Sequence, residues 1–160
     1  MRASCYYQWG ERFRTVKDDH ALNVYRKSVE CFHEHAQLSI SPKIEIVEVP
    51  YEGNFLPGYF VHAENTKKSK NPTMIFFDGL DITKELQYAR GVPELIKRGF
   101  SCLVMDGPGT GEAIRFRGMF LRPDYEVAGS ACVDYLETRE DVDKNRIGIM
   151  ACLLYTSGRC

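Results

Sequence analysis

Two short segments carry the residue types that could do chemistry, and each follows an apolar run directly. The first is Phe77-Asp78-Gly79-Leu80-Asp81, after Thr73 to Phe77. The second is Asp106-Gly107-Pro108-Gly109-Thr110-Gly111-Glu112, after Ser101 to Met105. Ligands of open α/β sheets bind beyond the carboxyl ends of the strands. Gly79 permits a sharp turn that can aim the following amides at an oxyanion; the plainer reading is a strand-to-helix turn without chemistry. The second segment invites a phosphate-loop reading, but the dinucleotide fingerprint G-x-G-x-x-G requires glycine where Glu112 stands, and the Walker G-K-[ST] is absent. Pro108 has no N–H to offer a phosphate, and Glu112 would repel one. A tight loop shaping the rim of a site fits better, so the candidate site residues are Gly79, Leu80, Asp81, Asp106 and Gly107.

Other constellations carry less. His33-Glu34-His35 places its imidazoles two residues apart, whereas helical metal ligands stand four apart to share a face; a solvated helix end is expected. Tyr6, Tyr7 and Trp9 are expected to pack. The chain has 160 residues, 44% hydrophobic and 27% charged, with a formal net charge of -1. That balance gives no reason to expect nucleic acid or an anionic membrane as a partner. Lys67-Lys68-Ser69-Lys70 reads as a solvated loop. No run approaches the roughly 20 apolar residues of a membrane span, and Met1 to Trp9 lack the apolar centre of a signal peptide. The six cysteines form no C-x-x-C pair. Cys102 and Cys132 lie in apolar stretches as buried thiols do, so neither a disulfide framework nor a zinc site is expected, and a reducing cytoplasm is.

The elements that must position the two segments follow from periodicity. Asp18 or Asp19 can cap a helix with Ala21, Leu22, Tyr25, Val29 and Phe32 on one face, ended near Pro42. Alternation at Ile44 to Val47, turn chemistry at Glu52-Gly53-Asn54 and a return over Gly58 to Ala63 predict a hairpin. Asn65 to Pro72 reads as a polar loop. Thr73–Phe77 and Ser101–Met105 read as strands joined by a helix over Thr83 to Arg98, kinked or restarted at Pro93 and stopped by Gly99. Asp124 can cap a helix bearing Val127, Ala128, Ala131, Cys132, Tyr135 and Leu136. Ile147 to Met150 is the third apolar strand. Continuous apolar strands with helical crossovers predict an α/β fold: a hairpin, then a parallel β-α-β-α-β unit covered on both faces. The last strand belongs in the middle of such a sheet, and without a helix or strand after it becomes an exposed apolar edge that favours association.

Four patterns together resemble an α/β-hydrolase, in the esterase-like group that includes dihydroxypseudooxynicotine hydrolase. They are Val47-Glu48-Val49-Pro50-Tyr51-Glu52-Gly53, Gly79-Leu80-Asp81-Ile82-Thr83-Lys84-Glu85, Asp106 to Glu112, and Arg146-Ile147-Gly148-Ile149-Met150. The resemblance covers roughly residues 10 to 150 and implies a helical cap-forming segment over 1–42 and a partial hydrolase core over 43–150. It implies that the backbone N–H of Leu80 is one oxyanion donor, and that a nucleophile elbow G-x-S-x-G follows Met150, with the acid and then the histidine further on. Here Ala151 stands at the first glycine of that elbow and Leu153 at the serine. Cys152 is one residue out of place, and Ser157 lacks an elbow. The expectation is therefore a fragment of a serine hydrolase acting on an ester, an amide or an activated C–C bond beside a carbonyl. It needs no metal or organic cofactor and is inactive by itself. Residues 151–160 read as a non-native tail, since Cys152 to Ser157 resembles the translation of a transposon end used in preparing sequencing libraries. The competing readings are a non-catalytic interaction domain of the same fold and a small nucleotide-binding α/β domain.

Overall fold

The computed structural model describes residues 1–64, 66–79 and 81–151. Helix α1 spans Arg2–Arg12 and α2 spans Asp19–Leu38. Asp18 caps α2, its side chain accepting from Ala21 N at 2.8 Å; of the predicted stripe Ala21, Tyr25, Val29 and Phe32 are buried, Leu22 is not, and Ala36 extends it by one turn. Helix α1 is inverted: it buries Ser4, Gln8 and Glu11, while Tyr6 (75%), Trp9 (39%) and Phe13 (77%) are exposed. The expectation that Tyr6 and Trp9 pack in the interior is corrected. Polar contacts hold this helix instead, including Ser28 Oγ donating to Ser4 O at 2.7 Å.

Strand β1, Ile44–Tyr51, turns through Glu52 and Gly53 into β2, Asn54–Val61, with Val47 opposite Gly58. The return strand thus begins four residues before its predicted start, because Pro57 is accommodated within it opposite Glu48. Strand β3, Asn71–Phe77, leads to α3, Lys84–Arg90, and α4, Val92–Lys97. The predicted single helix breaks at Gly91, with Pro93 in the first turn of α4, where a missing N–H costs nothing. Strand β4 spans Ser101–Met105, as predicted. A five-residue helix α5, Gly111–Arg115, follows where the sequence reads as loop. Helix α6 spans Glu126–Glu137 and β5 spans Val142–Ala151. Asp124 does not cap α6: Tyr125 is the capping residue, no side chain bonds there, and the Asp124 carboxylate holds Arg122 at 2.6 Å.

The sheet order is β1-β2-β4-β3-β5, with the hairpin antiparallel and β4, β3 and β5 parallel. Among the described residues β5 is an edge, with Ile149 51% and Met150 47% exposed. The sheet is covered on both faces because its apolar residues alternate. On one face Val49, Leu56, Phe60, Ile75, Leu103 and Met105 meet Ala128, Cys132 and Leu136 of α6. On the other, Tyr59, Phe76, Cys102 and Val104 meet Phe32 of α2, Tyr88 of α3 and Val92 and Ile96 of α4. Burial pushes the Cys102 thiol up to about 12, so it behaves as a small apolar side chain. No described helix is long and apolar enough to cross a membrane.

Phe32 is the anchor of α2 on the sheet. It is fully buried, stacked on Tyr59 at 4.4 Å and edge-on to Tyr88 at 5.3 Å. Phe32→Ala is expected to cost about 3–5 kcal/mol, read as a lowered urea midpoint; a loss under about 1 kcal/mol would show that α2 is not anchored there.

Candidate functional site

The three parallel strands end in register. Phe77 pairs with Met105 on one side and with Ala151 on the other. The two glycine segments therefore leave adjacent strands at one edge, beside the end of β5. In the first turn, Gly79 N donates to its neighbour Asp78 Oδ1 at 2.8 Å, and Ile82 N donates to Gly79 O at 3.1 Å. Leu80, the predicted oxyanion donor, lies outside the described residues, as do Cys152, Leu153 and Ser157. Asp81 is exposed and held by Arg12 of α1, whose guanidinium reaches the carboxylate at 2.6 Å and the carbonyl at 3.1 Å.

Beneath the turns lies a buried charge cluster that the sequence reading missed. Lys84, at the start of α3, is 1% exposed. Its ammonium has three protons to donate, and three carboxylates surround it: Glu85 at 2.7 Å, Asp106 at 2.9 Å and Glu112 at 2.6 Å. Glu85 is fully buried and also accepts from Tyr59 Oη at 2.7 Å and Thr83 Oγ1 at 2.6 Å. Asp106 is likewise fully buried, beneath the rim rather than on it as the sequence suggested. Its carboxylate accepts two backbone N–H groups, from Lys84 at 2.8 Å and Glu112 at 2.9 Å. One side chain thus satisfies orphan amides at the first turns of both α3 and α5.

These contacts account for the second glycine segment. A Cβ at Gly111 would meet the Asp106 carboxylate at 2.0–2.2 Å, and the residue sits at φ +43°. A Cβ at Gly107 would meet Tyr125 Oη at 1.9 Å. That hydroxyl is buried and has no hydrogen-bond partner among the described residues, and its ring lies edge-on to Phe77 at 5.4 Å.

The electrostatics follow from burial and neighbours. Burial opposes charge on Lys84, but Asp106 and Glu85 outweigh it and hold the ammonium well above its ordinary range. Burial likewise opposes charge on Glu85, yet Lys84, Thr83 and Tyr59 hold its carboxyl below the usual carboxylate range. Burial pushes Asp106 up, with Lys84 acting against it. Tyr25 and Tyr59 are pushed well up by burial and by the carboxylates, so they remain neutral donors. Glu85, Asp106 and Glu112 could in composition hold a cation. The Lys84 ammonium fills that position, so the residues fit no metal while it is there.

Helix α1 closes over both turns. Besides Arg12 on Asp81, buried Glu11 takes both guanidinium arms of Arg115 of α5 at 3.0 Å each, and Lys17 at 3.0 Å. A cavity of about 470 Å³ lies between them, lined by Arg12, Lys17, Leu22, Asp81, Gly109 and Arg115 among others. A larger groove of about 670 Å³ runs between the β1 edge and α6 and touches neither turn. The smaller cavity lies at the carboxyl edge of the sheet, the edge at which open α/β sheets bind ligands in general. His33 and His35 are half-buried rather than solvated, edge-on to Tyr59 at 5.8 Å and Tyr88 at 6.0 Å.

Comparison with known proteins agrees with this architecture. No family profile matches the chain. It is 29% identical over 163 residues to hydrolase LUC6 of Fusarium sp, a match covering 96% of this chain and 39% of that protein. To the alpha/beta hydrolase xenA of Xenoacremonium sinensis it is 31% identical over 143 residues, covering 86% of this chain and 33% of that one. The crystal structure of 2,6-dihydroxy-pseudo-oxynicotine hydrolase superposes with a TM-score of 0.79 at 28% identity, covering 92% of this chain and 40% of that one. The chain belongs to the α/β-hydrolases, whose sheet it reproduces from its N-terminal end. It spans about two-fifths of the length of the relatives it matches.

Replacing Lys84 tests the cluster. Lys84→Met leaves three carboxylates around an apolar group. Burial then raises the folded-state pKa values of Glu85 and Asp106 above the unfolded ones, so stability should be retained at low pH and lost as pH rises. The variant is expected to be at least about 3 kcal/mol less stable at pH 7 and to recover toward about pH 4–5. Urea midpoints measured across that range check it; a midpoint that tracks the unmodified chain at every pH contradicts the cluster.

Proposed function

We propose that this chain is the carbonyl-binding part of a serine-type α/β-hydrolase that cleaves an ester, an amide or an activated C–C bond beside a carbonyl. The observation that carries the reading is the register of Phe77, Met105 and Ala151. A nucleophile on a turn directly after β5 would emerge beside the turn after β3, the place from which a backbone amide would face a developing oxyanion. The chemistry would be nucleophilic: serine attacks the carbonyl, histidine takes and returns the proton, and an acid orients the histidine. The Leu80 N–H would be one donor to the oxyanion and the amide following the serine the other.

In this reading residues 1–42 contribute to a cap, and the tethers from α1 to Asp81 and Arg115 support that role. Residues 43–150 are core. With Leu153 at the serine position and neither acid nor histidine placed, the chain by itself does not turn over substrate. A cytoplasmic setting is consistent with the free thiols of Cys5, Cys31, Cys102 and Cys132.

Two measurements test the proposal. A fluorophosphonate probe should leave this chain unlabelled and label one serine in the product of a reading frame extended beyond codon 151. That frame should contain G-x-S-x-G directly after β5 and a later histidine. Hydrolysis of 4-nitrophenyl esters by the 160-residue chain, or an extended frame with neither motif, would overturn it.

A further inference from the structure

We propose that Asp106 is a positioning residue that locks the turn after β3 to the turn after β4, with the Lys84 ammonium as its counter-charge. The two turns then move as one body. That this body forms the wall against which a carbonyl binds rests on the reading above; the locking itself does not.

The geometry makes the link specific. Asp106 belongs to the end of β4, yet its Oδ1 accepts the amide that opens α3, at 2.8 Å. Its Oδ2 accepts the amide of Glu112 in α5, at 2.9 Å. Helices of seven and five residues are too short to be stable alone, so their orientation comes from what holds their ends. No side chain caps α3 from its own N-cap residue, Thr83, whose hydroxyl is turned to Glu85 and donates to it at 2.6 Å. The same holds for α5, where Thr110 Oγ1 donates to Gly107 O at 2.9 Å. Asp106 supplies from outside what both caps lack.

Lys84 closes the loop. Its backbone N–H and its ammonium both bond Asp106, and the ammonium continues to Glu112. Moving either turn alone would break a charge-assisted bond at a site where Lys84 and Asp106 are buried from water. Moving them together breaks none of these three bonds. Asp106 N is itself anchored to Pro57 O at 3.0 Å, which ties the lock to β2.

Asparagine separates this role from general stabilisation. Its single carbonyl oxygen can accept from one of the two amides, while its NH2 group would face the other donor. Native-state hydrogen exchange on the 160-residue chain reads the outcome. In Asp106→Asn, exchange at the Lys84 or Glu112 amide should rise by about ten-fold or more, with Ile75 and Leu103 in the strand interiors unchanged. A uniform rise at all four, or no rise at any, would overturn the proposal. Should that variant fail to fold, the unmodified chain decides. The Lys84 and Glu112 amides should open with one free energy and one denaturant dependence, and independent opening would overturn the lock. Failure here would leave the hydrolase reading standing, since that reading depends on the probe and the extended frame.

Discussion

The structure at the carboxyl edge of the sheet depends on one buried ammonium. Three carboxylates within reach of each other and away from water cannot all be charged without a cation among them. Lys84 provides it with one proton for each: 2.7 Å to Glu85, 2.9 Å to Asp106 and 2.6 Å to Glu112. Arg117 adds a weaker approach to Glu112 at 3.8 Å. Because the carboxylates come from α3, the turn after β4 and α5, satisfying one lysine fixes three segments at once. Such a cluster is weak evidence for net stability, since an apolar replacement of the whole can be as stable. What it specifies is arrangement.

That arrangement lies at the carboxyl edge of the sheet. The strand ends are in register, the turns above them are tied through Asp106, and α1 reaches both turns through Arg12 and Glu11. Helix α1 gives up apolar burial to do so. Its inward face carries Ser4, Gln8 and Glu11, and its aromatic residues face outward. The inversion makes sense once Glu11 is seen as the partner of Arg115 and Lys17 rather than as a surface charge.

The sheet was legible in the sequence because its parallel strands are short continuous apolar runs and its hairpin alternates. Ser101–Met105 was placed to the residue, and of the two caps open for α2, Asp18 and Asp19, the structure uses Asp18. Legibility failed wherever a polar residue is buried. Helix α1 has no apolar inward stripe to detect, and α5 is held by Asp106 rather than by its own composition. Asp106 read as a rim residue, and Lys84 and Glu85 were not singled out, because buried charges are rare unless paired, and pairing over 22 residues leaves no periodic trace. The hint available was that each of two strand-end segments carries opposite or like charges at its close, Lys84-Glu85 in one and Asp106 with Glu112 in the other. Pro57 misled the start of β2, since proline usually marks a strand's end or edge.

The central claim is that Lys84 is a charged, water-excluded donor to all three carboxylates at neutral pH. Nitrogen NMR of the lysine side-chain ammonium groups tests it most directly. The account predicts one ammonium whose protons exchange slowly with water and which stays protonated above the ordinary lysine range, as its neighbours Asp106 and Glu85 require. A Lys84 signal that exchanges as fast as a solvated ammonium, or that titrates below the ordinary lysine range, would contradict it.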